Sequence, residues 1–133
     1  MEKVTVDLES FKELTGKVIG CAMRVHRVLG TGFQEVIYQR ALAVELAQCG
    51  INAQRELEMP IYYRLQEIGS RRVDFLIEET VLLELKALHE LTPTHHAQII
   101  NYLEAYRLPI GLLINFGAPS LQYKRFVKTH PIY

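Results

Sequence analysis

A chain of 133 residues, 49% hydrophobic and 23% charged, has enough apolar surface for one buried core and reads as a single domain over residues 1–133. Its 15 basic and 15 acidic residues cancel, which excludes a partner held by bulk positive charge and confines any polyanion contact to a patch such as Arg71-Arg72 or Lys124–Lys128. No apolar run approaches the roughly 20 residues of a membrane helix, and the polar, acidic start MEKVTVDLESFKELTG is unlike a secretory signal, so a cytoplasmic protein with no membrane partner is expected.

Taken in chain order, Leu14, Val18, Cys21/Ala22, Val25 and Leu29 repeat at three-four spacing and predict an amphipathic helix over 11–29. Gly30-Thr31-Gly32 breaks it. A second helix is expected over 34–49 through Ile37, Ala41, Val44 and Ala47/Gln48, stopped by Gly50. Cys21 and Cys49 lie far apart in sequence, without C-x-x-C spacing, and read as reduced, semi-buried thiols rather than as a metal site or disulfide.

From Ile51 to Arg64 the pattern turns strand-like, with Pro60 marking an edge or an irregularity. A polar turn is expected over Leu65–Ser70. RRVDFLIEE and TVLLELKAL then read as two strands joined tightly at Glu78-Glu79-Thr80. Thr92 is a candidate N-cap and Pro93 a first-turn proline for a helix over 93–107. IGLLINF at 110–116 reads as a buried strand, and Gly117-Ala118-Pro119 turns the chain into a last strand over 121–128. Helix, helix, three strands, helix, two strands is an α/β layering around a mixed sheet, not a repeating βαβ pattern.

One strand carries charge where burial is expected. In VLLELKA, Glu84 and Lys86 share one strand face, opposite Leu83, Leu85 and Ala87. With a turn at 78–80, Asp74 falls opposite Glu84. Two facing carboxylates repel unless a cation lies between them, and oxygen-only ligands suit Mg²⁺ or Mn²⁺. A lysine beside such an ion steadies developing negative charge or positions a water. The plainer reading makes Glu84 and Lys86 solvated neighbours on a half-exposed strand. Gln98 and Tyr102 share one helical face in QIINY and can pack beside the same place, or serve as surface and core. His95 and His96 are adjacent on a helix, point about 100° apart and make poor joint ligands.

Asp74, Glu84-Leu85-Lys86 and Gln98-x-x-x-Tyr102 together resemble the PD-(D/E)xK nuclease superfamily, the Gln-x-x-x-Tyr element being closest to its RecB-like and lambda-exonuclease-like branch. Gly32-x-x-Glu35-x-x-Tyr38 in GTGFQEVIY is similar to the signature of the bacterial GxxExxY family, itself assigned to that superfamily. VHRVLGTGFQEVIYQRAL, ELTPTHHAQIINYL and GLLINFGAP extend the likeness over about residues 12 to 128. Val73 stands where the superfamily is named for a proline.

The resemblance implies a restriction-endonuclease-like α/β core, a central mixed sheet of about five strands flanked by helices. It implies a Mg²⁺- or Mn²⁺-dependent nuclease acting on DNA rather than RNA. Asp74 and Glu84 become metal ligands, with the Leu85 carbonyl a third. Glu35 binds a metal directly or through water, and His26 matches a recurrent family histidine that ligates metal in RecB-like nucleases. Lys86 orients the attacking water or stabilises the phosphate, Gln98 contacts the phosphate or a metal-bound water, and Tyr102 supports Gln98. Tyr38 packs. Arg71 and Arg72 contact flanking phosphates or lie on the surface. Zero net charge and small size motivate an alternative, a nuclease fold serving as a binding or assembly module with a partner protein or as a homo-oligomer. A small-molecule enzyme finds no supporting motif: no Gly-rich phosphate loop, and no Ser/His/Asp or Cys/His grouping at telling spacing.

Overall fold

The structure, a computed structural model, describes residues 8–128; the first part of the acidic N-terminal stretch lies outside the described residues. Two helices, α1 (Leu8–Leu29) and α2 (Glu35–Gln48), precede the antiparallel strands β1 (Ala53–Tyr63), β2 (Gln66–Ile77) and β3 (Val81–Lys86). Helix α3 (Pro93–Tyr106) carries the chain to β4 (Ile110–Asn115), parallel to β3, and β5 (Gln122–Val127) returns antiparallel. The sheet runs in the order β1-β2-β3-β4-β5, a five-stranded mixed sheet flanked by helices, as expected.

Two apolar clusters sandwich the sheet. Phe75, Ile77, Val81, Leu83, Leu85, Leu112 and Ile114 pack on one side against Val18, Cys21, Ala22 and Val25 of α1 and Tyr38, Leu42 and Leu46 of α2. Val73, Leu76, Leu82, Leu113 and Phe126 pack on the other side with Ile99 and Leu103 of α3. Strand β3 is therefore covered on both faces, which is why apolar residues fill four of its first five positions, Glu84 being the exception.

Helix α2 uses a different face from the one its spacing suggested. It buries Tyr38, Gln39, Leu42 and Leu46, while Val44 stays 57% exposed. The helix is apolar nearly all round, so periodicity does not single out a stripe. Tertiary packing does, through the Tyr38 ring stacked at 4.7 Å on Phe116. The expected polar turn at Leu65–Ser70 is also corrected: β2 begins at Gln66, and only Arg64 and Leu65 turn, both at positive φ. Residues 66–70 extend the hairpin beyond the core and are exposed throughout, so no alternation marked them as strand.

Two local features shape the middle of the sheet. Val73 belongs to the α3-side cluster and Phe75 to the opposite one, so β2 breaks strict alternation at Asp74. Across the ladder, Glu56 falls at the position facing Asp74 and adopts φ 54°. At the far end of β3 the chain is latched. The Asn115 side chain accepts from Leu88 N–H (2.8 Å) and Gly117 N–H (3.1 Å) and donates to the Leu88 carbonyl (2.9 Å). Phe116 N–H donates to the Lys86 carbonyl at 2.8 Å. A Cβ on Gly117 would stand 2.3 Å from Leu88 N, so only glycine permits this approach.

Candidate active site

Paired ladder positions between β2 and β3 end at Phe75–Leu83, and one step further Asp74 and Glu84 face each other. Here a side chain replaces the ladder: Leu85 N–H donates to Asp74 Oδ2 at 2.8 Å. Gln39, reaching in from α2 and only 5% exposed, donates its amide to Asp74 Oδ1 at 2.8 Å. Asp74 is thus gripped from β3 and α2 at once.

Glu84 is 5% exposed. Burial raises its pKa first, the negative charge of Asp74 and a hydrogen bond to it raise it further, and Arg71 and Lys86 partly oppose them; the carboxyl is pushed up to about 8. At neutral pH Glu84 therefore carries a proton and gives it to Asp74 in a hydrogen bond. Its Oε1 is buried without a hydrogen-bond partner, as are Gln39 Oε1 and Arg71 Nε.

Glu35, at the first turn of α2, belongs to the same electrostatic neighbourhood. Desolvation raises its pKa, the charge of Asp74 adds to this, and Lys86 and Arg71 pull the other way. Lys86 is half-buried and, among the described residues, makes no ion pair within 4.0 Å. Arg71 lies with its guanidinium carbon 5.6 Å over the Tyr102 ring, which brings Tyr102 of α3 to the border of the cluster.

Other candidates are placed differently. His26 donates from Nε2 to the Ala118 carbonyl at 3.0 Å, tied to the turn after β4. Gln98 is exposed and bonds to none of Asp74, Glu84 or Lys86. Arg72 pairs with Glu58 at 3.5 Å on the surface, leaving Arg71 as the arginine of the site. Tyr38 donates its hydroxyl to the Gly30 carbonyl and stacks on Phe116, a packing role. His95 accepts from Thr92 N–H at 3.2 Å and so helps to cap α3. Among the described residues, no three His, Cys, Asp or Glu side chains converge as a metal-holding group.

Gln39 escaped the sequence reading. Its one signal was position, four residues after Glu35 and so on the same helical face.

A divalent cation fits what is present. The donors are oxygens, the two carboxyls face each other across β2 and β3, and Glu84 Oε1 is a buried acceptor without a donor. Mg²⁺ keeps several waters and needs only one or two carboxylates from the protein. An open groove of about 300 Å³ adjoins the end of β3, between Thr31–Phe33 and Ala87–His89.

A family model described as the PD-(D/E)XK nuclease superfamily matches residues 12–126. Three solved chains match; one, "Crystal structure of SSO0001", superposes with TM-score 0.58 at 19% identity over 71% of this chain and 50% of its own. This chain spans about half the length of that relative and shares its fold. No curated protein matches. With the family model covering most of the chain, from α1 into β5, the chain belongs to the PD-(D/E)XK nuclease superfamily.

Proposed function

We propose that the protein is a Mg²⁺- or Mn²⁺-dependent nuclease that hydrolyses phosphodiester bonds in DNA, a member of the GxxExxY family in the RecB-like branch. The observation that carries this reading is the Asp74–Glu84 carboxyl pair, Glu84 buried with one oxygen unpartnered and Asp74 half-buried, with Lys86 two residues along the same strand. Gly32, Glu35 and Tyr38 supply the family signature.

Asp74, Glu84 and the Leu85 carbonyl would hold the cation, since the N–H and C=O of one strand residue face the same neighbour and Leu85 N–H already meets Asp74. When bound, the ion supplies a nucleophile at neutral pH and neutralises charge at the phosphate. Gln39 and Leu85 N–H keep Asp74 from rotating away. Glu84 gives up its proton to become a ligand. Lys86 adds positive charge without taking a coordination position, steadies the charge that builds on the phosphate and orients the attacking water. Glu35 reaches the site through water, and Arg71, steadied on Tyr102, meets a neighbouring phosphate. Gln98 joins these contacts when substrate is bound.

The purified chain with Mn²⁺ is expected to cut DNA. Lys86→Ala and Asp74→Ala are each expected to lower the rate about 100-fold or more, the scale of losing one electrostatic stabiliser. Metal-dependent cutting that survives both substitutions rules this site out.

A second reading, a nuclease-fold module in a larger assembly, is favoured by the absence of a three-side-chain cluster among the described residues. It predicts no cutting by the chain alone, with activity returning when a partner protein or a second copy completes the site.

A further inference from the structure

The fold brings together two thiols that sequence spacing left unrelated. Cys21, on the buried face of α1, and Cys49, the C-cap of α2, stand with their sulfurs 3.6 Å apart, both free. Arg24, one turn further along α1, points Nη2 at both, 3.3 Å from Cys21 Sγ and 3.2 Å from Cys49 Sγ. Its Nε is fixed by Glu45 at 3.1 Å. The pair is asymmetric, since Cys21 is fully buried and Cys49 is exposed. The thiols are free, as the sequence led one to expect, but one is buried and the other exposed where both were expected to be semi-buried.

We propose that Cys21 and Cys49 form a peroxide-responsive dithiol, with Cys49 the reacting thiol, Cys21 the resolving thiol and Arg24 the cation that steadies the thiolate. This site is independent of the nuclease reading. A thiolate, not a thiol, is the nucleophile, and a neighbouring guanidinium favours it. Burial, and next the hydrogen bond to Cys49, raise the Cys21 thiol to about 11, so Cys21 keeps its proton while Cys49 reacts.

The Cys49 thiolate attacks one oxygen of hydrogen peroxide. The O–O bond breaks, hydroxide leaves and takes up a proton to become water, and Cys49 becomes a sulfenic acid. The Cys21 sulfur then attacks the Cys49 sulfur. The S–O bond breaks, the Cys21 proton leaves with the departing hydroxide as a second water, and a disulfide forms. The two thiols give up two electrons and two protons, and peroxide is reduced to two waters. Closing the bond draws the sulfurs from 3.6 Å to about 2.05 Å and ties the middle of α1 to the end of α2.

The test treats the full chain with hydrogen peroxide, blocks remaining thiols by alkylation, and reads intact mass, peptide map and melting temperature. Expected are loss of two hydrogens, no alkylation, a Cys21–Cys49 linked peptide, a higher melting temperature, and full reversal by dithiothreitol. Cys49→Ser, exposed and so expected to fold, should leave Cys21 unoxidised. Arg24→Gln should slow oxidation several-fold near neutral pH. Sulfinic acid on Cys49 without a link, Cys49-linked dimers in place of the internal bond, or two thiols that remain alkylated overturn the proposal. An unchanged rate in Arg24→Gln overturns the role of Arg24.

Discussion

In the proposed mechanism Glu84 is the residue on which the site's chemistry turns, because its proton and a metal ion would compete for the same oxygens. Its folded pKa of about 8 lies above its ordinary 4.5. Between these values the folded chain holds one proton more than the unfolded chain. The stabilising contribution is therefore complete below the ordinary value and is lost as pH rises through the folded one. Metal-free stability should fall by about 1.4 kcal/mol per pH unit across that window, and Glu84→Gln should flatten the slope in thermal melts. Mn²⁺ should raise the melting temperature more at alkaline than at mildly acidic pH, because it no longer has to displace the proton. Gln39 offers a second test at this scale. Gln39→Ala leaves Asp74 Oδ1 without its donor and should cost about 1–3 kcal/mol, with weaker Mn²⁺ binding as the readout that separates positioning from packing. Asp74, Glu84 and Lys86 were legible in the sequence because strand period and hairpin register are local arithmetic. Gln39 was not, because its partner comes from an element 35 residues away along the chain. His26 illustrates the converse, a motif histidine whose Nε2 is bound to a carbonyl.

At the scale of elements, every helix and strand was legible in type and order, and the misses have physical causes. The buried face of α2 was ambiguous because its apolar residues surround the axis. The start of β2 was hidden because an exposed hairpin extension needs no apolar alternation. The β3–β4 latch was foreshadowed only as a turn at Gly117-Ala118-Pro119. Asn115, fully buried, binds the Leu88 backbone on both its N–H and its carbonyl and also donates to Gln122 Oε1 at 2.9 Å. Asn115→Ala should lower unfolding stability by about 2–4 kcal/mol, the sum of buried groups left unpaired, measured by urea denaturation. Gly117→Ala forces a Cβ into the Leu88 backbone and must displace the segment after Lys86. It should lower cleavage more than Lys17→Ala, a change in an exposed pair on α1, at matched fraction folded.

The whole molecule is a sheet covered on both faces, with the acidic pair where β2 leaves its alternation and α2 reaches across to it. Among the described residues, no helix is long and apolar enough to cross a membrane. Formal net charge is zero, so under the proposed function grip on DNA would rest on a few cations such as Arg71 and Lys86 rather than on a broad field. DNA affinity should then fall with salt along a shallow slope, about 0.9 per phosphate neutralised on duplex DNA, readable by fluorescence anisotropy across a salt series. A steep slope would place the DNA on a surface beyond this cluster. The most direct measurement is calorimetric titration of the metal-free chain with Mn²⁺ at neutral pH, where Glu84 still carries its proton, in buffers of different ionisation enthalpy. Binding accompanied by proton release, and lost in both Glu84→Gln and Asp74→Asn, is the expected result. No binding, or the same binding in both variants, would contradict a cation held between these two carboxylates.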